Sequence, residues 1–254
     1  MLLKTDINCD IGRIRQNNED IILLDGNLFR DNAKKHVFEL SEKPRFAAVV
    51  ADGMGGHNGG EVASEIAAQR FDDFLLHLPG SLNEEELTGQ IKQWVTETHR
   101  FIVEKGYELP RYMGMGTTFC GMLFYEESIL VVHVGDSRLY RFRGGILKQL
   151  TTDHSMRELT GDLSYPSGQI YNSLGAGDKA FADIIKLTGQ VLDEDIFLVC
   201  SDGLSDMLSN EEIEQLLSHE PNAADLVSAA NTAGGKDNIS VILLTIEQNH
   251  GYDD

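Results

Sequence analysis

The sequence predicts an α+β fold in which antiparallel sheets are covered by helices. Three observations carry that expectation: short β-branched apolar runs bounded by glycine, two long amphipathic helical patterns, and an element order without strict strand–helix alternation. The chain has 254 residues, 41% of them apolar, enough to bury a sizeable core. Glycine is abundant at 25 residues and proline scarce at 5, which points to tight turns in a folded body and not to a linker. No internal repeat or low-complexity stretch divides the chain, so one domain is expected over residues 1–248, with 249–254 as a flexible tail.

Taken in order, the first buried run is Phe46–Ala51. A helix is expected over Glu61–Leu78, where Val62, Ile66, Ala67, Phe71, Phe74 and Leu75 recur at three- and four-residue spacing. A second, over Glu84–Lys105, carries Leu87, Ile91, Trp94, Val95, Phe101 and Ile102 on one face and opens with the capping box Asn83-x-x-Glu86. Strands follow at Thr117–Phe124, Ser128–Val134 and Arg138–Phe142. The last two flank Gly135-Asp136-Ser137 and are expected to pair as an antiparallel hairpin. Beyond strand Asp195–Cys200, Ser209-x-x-Glu212 opens a short helix. A helix over Asn222–Ala233 is closed by Gly234-Gly235, and Ile239–Ile246 is the final strand.

Charge narrows the function classes. Lys and Arg number 21 against 41 Asp and Glu, a net of −20. Nucleic-acid binding needs clustered cations to neutralise phosphates, and anionic membranes need the same, so the charge balance disfavours both. From Leu187 to Gly235 there is no Lys or Arg, yet ten carboxylates occur: Asp193, Glu194, Asp195, Asp202, Asp206, Glu211, Glu212, Glu214, Glu220 and Asp225. Such a stretch is either a solvated acidic face or a region that holds cations. Cys9, Cys120 and Cys200 form no CxxC motif, and two of them sit in apolar runs, which fits small core residues in a reduced compartment. There is no apolar leader after Met1 and no run near the ~18 apolar residues of a membrane span. A soluble cytoplasmic protein is expected.

The informative pattern is an aspartate at the end of an apolar strand, set in a glycine turn. Ala51 runs into Asp52-Gly53, Val134 into Gly135-Asp136-Ser137, and Cys200 into Ser201-Asp202-Gly203, while Gly235-Lys236-Asp237-Asn238 stands just before Ile239. Singly, each is an ordinary turn. Together they place four carboxylates where strand ends converge, and such a group repels itself unless a hard cation sits among them. Oxygen ligands without clustered His or Cys favour Mg²⁺ or Mn²⁺ over Zn²⁺. Arg15, followed by Glu19 and Asp20, adds a guanidinium fork suited to phosphate beside two more acids. Phosphate clamp and acidic cage are the toolkit of two-metal phosphoester hydrolysis. The Gly53–Gly60 run lacks the Gly-Lys-Ser/Thr ending of a P-loop, and no Gly-x-Ser-x-Gly elbow exists, so nucleotide-loop and serine-hydrolase readings are set aside.

The ordered motifs resemble the bacterial metal-dependent protein serine/threonine phosphatases of the PPM, or protein phosphatase 2C, class. They are Gly12-x-x-Arg15-x-x-Asn18-Glu19-Asp20, Val50-Ala51-Asp52-Gly53-Met54-Gly55-Gly56-His57, Glu61-x-Ala63-Ser64, Gly114-x-Gly116-Thr117-Thr118, His133-Val134-Gly135-Asp136-Ser137-Arg138-x-Tyr140, Leu150-Thr151-Thr152-Asp153-His154-Ser155, Ser173-Leu174-Gly175, Cys200-Ser201-Asp202-Gly203-Leu204 and Gly235-Lys236-Asp237-Asn238-Ile239-Ser240.

The resemblance implies two packed antiparallel sheets flanked by helices, an α-β-β-α sandwich. It implies that Asp52 bridges two Mn²⁺ or Mg²⁺ ions, with the Gly53 carbonyl, Asp202 and Asp237 completing their shells and Glu19 and Asp20 holding the second ion directly or through water. Asp136 matches the position that helps bind a third, weaker ion. Arg15 would grip the substrate phosphate while a water or hydroxide bridging the two metals attacks phosphorus in line, without a phosphoenzyme. Implied partners are phosphorylated proteins, including a Ser/Thr kinase or its substrates, met by a monomer.

Two departures stand out. Met54 occupies a position where eukaryotic members carry a histidine proposed as general acid, and His57 lies three residues on. Residues 156–172 replace the family's flap and are short. His133 and His154 read as structural. Two other readings stay open: a non-catalytic phosphoprotein-binding scaffold, and a different two-metal hydrolase acting on small esters or nucleic acid.

Overall fold

Central strands that are apolar on both faces dictate four layers. In Ile239–Glu247, the side chains of Ile242, Leu244 and Ile246 point one way and those of Ile239, Val241 and Leu243 the other, as the two-residue period of a strand requires. The same split holds in Arg45–Ala51, where Phe46, Ala48 and Val50 face one layer and Ala47, Val49 and Ala51 the next. Each strand therefore has a sheet behind it and helices in front.

The computed structural model describes residues 1–40, 45–55 and 59–248. The strands are β1 (Leu2–Asp10), β2 (Ile21–Leu24), β3 (Asn27–Phe29), β4 (Asn32–Glu39), β5 (Arg45–Ala51), β6 (Gly53–Met54), β7 (Gly116–Thr117), β8 (Phe119–Tyr125), β9 (Ser128–Val134), β10 (Arg138–Arg143), β11 (Ile146–Gln149), β12 (Asp183–Lys186), β13 (Ile196–Cys200) and β14 (Ile239–Glu247). The helices are α1 (Gly59–His77), α2 (Glu84–Glu108), α3 (Met156–Thr160), α4 (Asp202–Ser205), α5 (Asn210–Leu217) and α6 (Ala223–Thr232). One six-stranded sheet runs β11-β10-β13-β14-β1-β4, the other β12-β9-β8-β5-β2-β3, and every pairing is antiparallel. Helices α1 and α2 cover the second sheet through Phe71, Trp94 and Ile91, while α4–α6 cover the first through Leu204, Ile213 and Leu226. The two packed antiparallel sheets flanked by helices are thus the observed architecture.

Local expectations survive where local chemistry decides. Asn83 Oδ1 accepts hydrogen bonds from the Glu85 and Glu86 N–H groups while the Glu86 carboxylate accepts one from the Asn83 N–H, and Ser209 with Glu212 forms the same reciprocal box. Each such cap contributes about 1 kcal/mol. Cys9, Cys120 and Cys200 are all buried and free. Among the described residues no helix is long and apolar enough to cross a membrane.

The expected hairpin between Ser128–Val134 and Arg138–Phe142 does not form. β9 pairs with β8 and β12 in one sheet, and β10 pairs with β11 and β13 in the other, so Gly135-Asp136-Ser137 is a crossover between sheets. Gly135 makes the crossing possible: its φ of 103° suits glycine, and a Cβ there would meet Thr118 at 2.6 Å. The expected Thr117–Phe124 strand is also divided, because Gly116–Thr117 peels away to pair with Gly53–Met54. His57 and the 249–254 tail lie outside the described residues.

Candidate active site

The loops at one end of the sandwich converge on a cleft of about 270 Å³. Arg15, Glu19, Asp52, Gly53, Asp136, Asp202 and Asp237 all line it, and so does Met54. Asp20 lies one layer deeper, 1% exposed, where its Oδ2 accepts from Ser201 Oγ at 2.8 Å.

Each acid is held by its own loop. Asp52 leaves β5 and is clamped at its backbone: its N–H donates to Thr118 Oγ1 at 3.0 Å, and its carbonyl accepts from the Thr118 N–H at 2.8 Å and Thr117 Oγ1 at 2.9 Å. Gly53 packs so closely that a Cβ would lie 2.1 Å from the Gly60 carbonyl oxygen, which is why the turn needs glycine. Asn238 joins two loops, accepting from the Glu19 N–H at 2.8 Å and donating to the carbonyls of Ile11 at 2.9 Å and Asn17 at 3.1 Å. Asp202 opens α4, and Asp136 sits at the crossover between the sheets.

Electrostatically the cleft is unbalanced. Asp52 and Asp202 reach solvent through the cleft mouth but are otherwise enclosed by protein. Enclosure first, then the neighbouring carboxylates of Asp20, Asp202 and Asp136, pushes Asp52 well above the ordinary carboxylate range. Asp202 is raised in the same way by enclosure and by Asp136, Asp237 and Asp206. Burial lifts Asp20 to about 6, and burial with Asp153 nearby lifts Asp136 to about 7. Glu19 is raised by burial and partly relieved by Arg15. Arg15 answers part of this charge, its Nη2 2.5 Å from Asp237 Oδ2, and Arg138 partly relieves Asp136.

The donor set fits divalent cations. It is entirely oxygen, and Asp20 Oδ1 and Asp202 Oδ1 are shut off from solvent with no hydrogen-bond partner among the described residues. Sequence reasoning placed these acids because strand-end aspartates are visible in a one-dimensional pattern. It quoted Thr118 within a motif and Asp206 within the acidic stretch but gave neither a role at the site, where Thr118 clamps Asp52 and Asp206, one helical turn beyond Asp202, is bonded by Ser167 Oγ at 2.6 Å. The four-residue spacing from Asp202 was the available signal for Asp206. It also missed that Gly168 and Ile170 of the 156–172 segment form part of the cleft wall.

Fold and cleft together define a protein with an acidic, oxygen-lined cleft and the Arg15 guanidinium at its rim, carried on a helix-flanked double sheet. A family model for protein phosphatase 2C matches residues 25–243, and the chain belongs to that family. It is 32% identical over 256 residues to the serine/threonine phosphatase stp of Listeria monocytogenes serovar 1/2a, covering 95% of each chain. It is 31% identical over 258 residues to the protein phosphatase PhpP of Streptococcus pneumoniae, covering 94% of this chain and 96% of that one. Among solved structures, the S. agalactiae serine/threonine phosphatase superposes with a TM-score of 0.82 at 31% identity, covering 96% of this chain and 100% of that one. The catalytic domain of the serine/threonine protein phosphatase PstP, solved with two manganese ions, gives a TM-score of 0.73 at 28% identity, covering 98% of this chain and 100% of that one.

Proposed function

We propose that this phosphatase 2C member hydrolyses phosphoserine and phosphothreonine on proteins at the acidic cleft, with two Mn²⁺ or Mg²⁺ ions as cofactors. Asp52, the Gly53 carbonyl, Asp202 and Asp237 would hold them with Glu19 and Asp20, and Asp136 would serve a third. The observation that carries this reading is the convergence of six carboxylates, with orphaned oxygens at Asp20 and Asp202, around a cleft that offers one guanidinium. When bound, such ions supply an acidified water and the positive charge that phosphoester hydrolysis requires.

The chain's own groups set the rest. Arg15 presents a planar fork to the phosphate, and its present partner Asp237 is the acid that a cation would draw away. The Thr117–Thr118 clamp holds the Asp52 backbone still, so alignment requires little reorganisation on binding. Met54 carries no titratable proton, and in this reading a water in the cleft would supply the proton to the leaving hydroxyl. Residues 1–248 act as one catalytic unit. Three buried free thiols suit a reducing cytoplasm, and a net charge of −20 opposes self-association, in keeping with a monomer. Substrates would include a Ser/Thr kinase or its targets.

The test is phosphate release from a phosphothreonine peptide with Mn²⁺ and with EDTA, for the wild type and Asp202→Ala. Manganese-dependent turnover that collapses in EDTA and in the variant is expected. A folded wild type without turnover under any divalent cation overturns the proposal and leaves a phosphoprotein-binding scaffold.

A further inference from the structure

Behind the cleft, between the Asp136 crossover and the 155–172 segment, lies a buried polar cluster with His154 at its hub. The His154 N–H donates to the Gly135 carbonyl at 2.8 Å, and the Gly135 N–H returns a bond to His154 Nδ1 at 3.1 Å. Asn172 Nδ2 meets the same Nδ1 at 2.7 Å. The orientation of that amide is settled by Phe181, whose carbonyl accepts from Asn172 Nδ2 at 2.9 Å and whose N–H donates to Oδ1 at 3.2 Å. Nδ1 therefore accepts from two N–H groups, and the ring proton belongs on Nε2, which faces Asp183 Oδ2 at 3.2 Å.

This tautomer also answers whether the cluster is a metal site. His133, His154 and Asp183 present ligand atoms within 4.8 Å of one another, and neither ring nitrogen of the buried His133 has a hydrogen-bond partner among the described residues. A neutral histidine that ligates through one nitrogen carries its proton on the other. At His154 that other nitrogen already confronts two donors, so ligation through Nε2 would set three hydrogens against one another. The cluster is organised for a different purpose.

We infer that His154 is a positioning residue for Asp136, and that its Nδ1 makes the Asp136 crossover and the 155–172 segment one mechanical unit. Between β9 and β10, where Gly135 leaves one sheet and Arg138 enters the other, His154 supports the crossover alongside the hydrogen bond between Ser137 Oγ and Thr118 Oγ1 at 2.7 Å. Both ends of the 155–172 segment return to the same residue. Ser155 bridges Ile170, the Tyr171 N–H donates to the His154 carbonyl at 2.9 Å, and Asn172 holds Nδ1. Between those ends, Gly168 and Ile170 wall the cleft that Asp136 lines. A shift of the segment is thereby transmitted to Asp136 through His154, by its ring Nδ1 and by its backbone N–H. The link to cation binding rests on the function proposed above.

Amide hydrogen exchange on the cation-free full chain, paired with calorimetric titration of Mn²⁺ without substrate, tests this. His154→Leu keeps bulk against Phe181 but removes the acceptor, whereas His154→Gln keeps an acceptor and a donor. In the leucine variant, amides of residues 135–137 and 155–172 are expected to exchange about tenfold faster or more, the scale of one lost buried hydrogen bond. Those of α1 and α2 stay at the wild-type rate. The weakest Mn²⁺ binding step weakens by a similar factor, and the glutamine variant restores both readouts.

Wild-type exchange in both segments of His154→Leu overturns the proposal, as does loosening spread evenly over the molecule. If that variant does not fold, Asn172→Leu carries the test, with faster exchange in both segments expected and an unchanged pattern overturning it. Zn²⁺ bound by the wild type and lost in Asp183→Asn also overturns it, in favour of a metal site. A wild type that binds no Mn²⁺ defeats the proposed cation chemistry instead, and the exchange readout still decides the role of His154.

Discussion

Strand β13 has an aspartate at each end, and the two keep opposite company. Asp195, just before the strand, is 0% exposed and gripped by Arg143, whose Nε lies 2.5 Å from Oδ1 and whose Nη2 lies 2.5 Å from Oδ2, while the Leu192 N–H donates at 2.8 Å. Asp202, just after the strand, faces the carboxylates of Asp136, Asp237 and Asp206, and its Oδ1 has no hydrogen-bond partner among the described residues. Enclosed charge without counter-charge is costly, so a fold closes such sites where it can. The β13 end with Asp195 is closed by the protein itself. At the other end no such partner is in place among the described residues, and under the proposed function a cation would supply the countercharge; that asymmetry distinguishes the two aspartates more clearly than residue type or burial.

The comparison breaks first if the two aspartates respond alike to substitution. Asp202→Asn is expected to lower Mn²⁺-dependent phosphatase turnover by roughly a thousandfold, since several kcal/mol of charge stabilisation ride on the bound cations. Its unfolding midpoint without cations should be no lower than that of the wild type. Asp195→Asn should do the reverse, costing about 3 kcal/mol in urea unfolding because Arg143 loses its partner, while turnover of the folded fraction is unchanged.

Arg15→Ala sharpens the same contrast, because Arg15 is the guanidinium of the open end as Arg143 is of the closed one. A fall of about a hundredfold in kcat/KM, mostly in KM, is expected, and Arg15→Lys should recover little, since an ammonium lacks the fork. An equal loss in the lysine and alanine variants with KM untouched would remove Arg15 from phosphate binding.

The smallest effect concerns pH. Asp136, raised from 3.8 to about 7 in the folded chain, binds a proton that the unfolded chain has released over that window. The folded state is therefore stabilised below pH 4 relative to higher pH, and that stability is lost as pH rises from about 4 to 7. His133, lowered to about 3 by burial and the neighbouring His154, acts in the opposite sense, so the informative quantity is a difference between proteins. Without cations, the melting temperature of Asp136→Asn should exceed that of the wild type by several degrees more at pH 8 than at pH 4. A pH-independent gap would mean that Asp136 is not held in a crowded acidic site.

How much could be read in advance depended on distance along the chain. The capping boxes at Asn83 and Ser209 span three residues and were visible, as were the apolar faces of α1 and α2 and the runs that became β5, β13 and β14. Strand β1 was missed although Leu3, Thr5, Ile7 and Cys9 alternate inward, because polar residues between them dilute the pattern. Edge strand β4 was missed because most of it is exposed and only its pairing with β1 defines it. The mistaken hairpin at Gly135–Ser137 failed for a related reason: a glycine turn indicates a change of direction, not which sheet receives the next strand.

The sequence by itself determined the layered α+β class, the caps, the family motifs and the identity of the acids, because each is written in residue type, period or short spacing. Tertiary structure alone decided the rest. It joined Arg15 to Asp237 across 222 residues and Arg143 to Asp195 across 52, laid Gly168 and Ile170 beside the acids, and made His154 the hub behind Asp136. Those choices depend on which distant strands share a sheet. Burial of both faces settles that for the whole chain at once, and no local stretch carries the information.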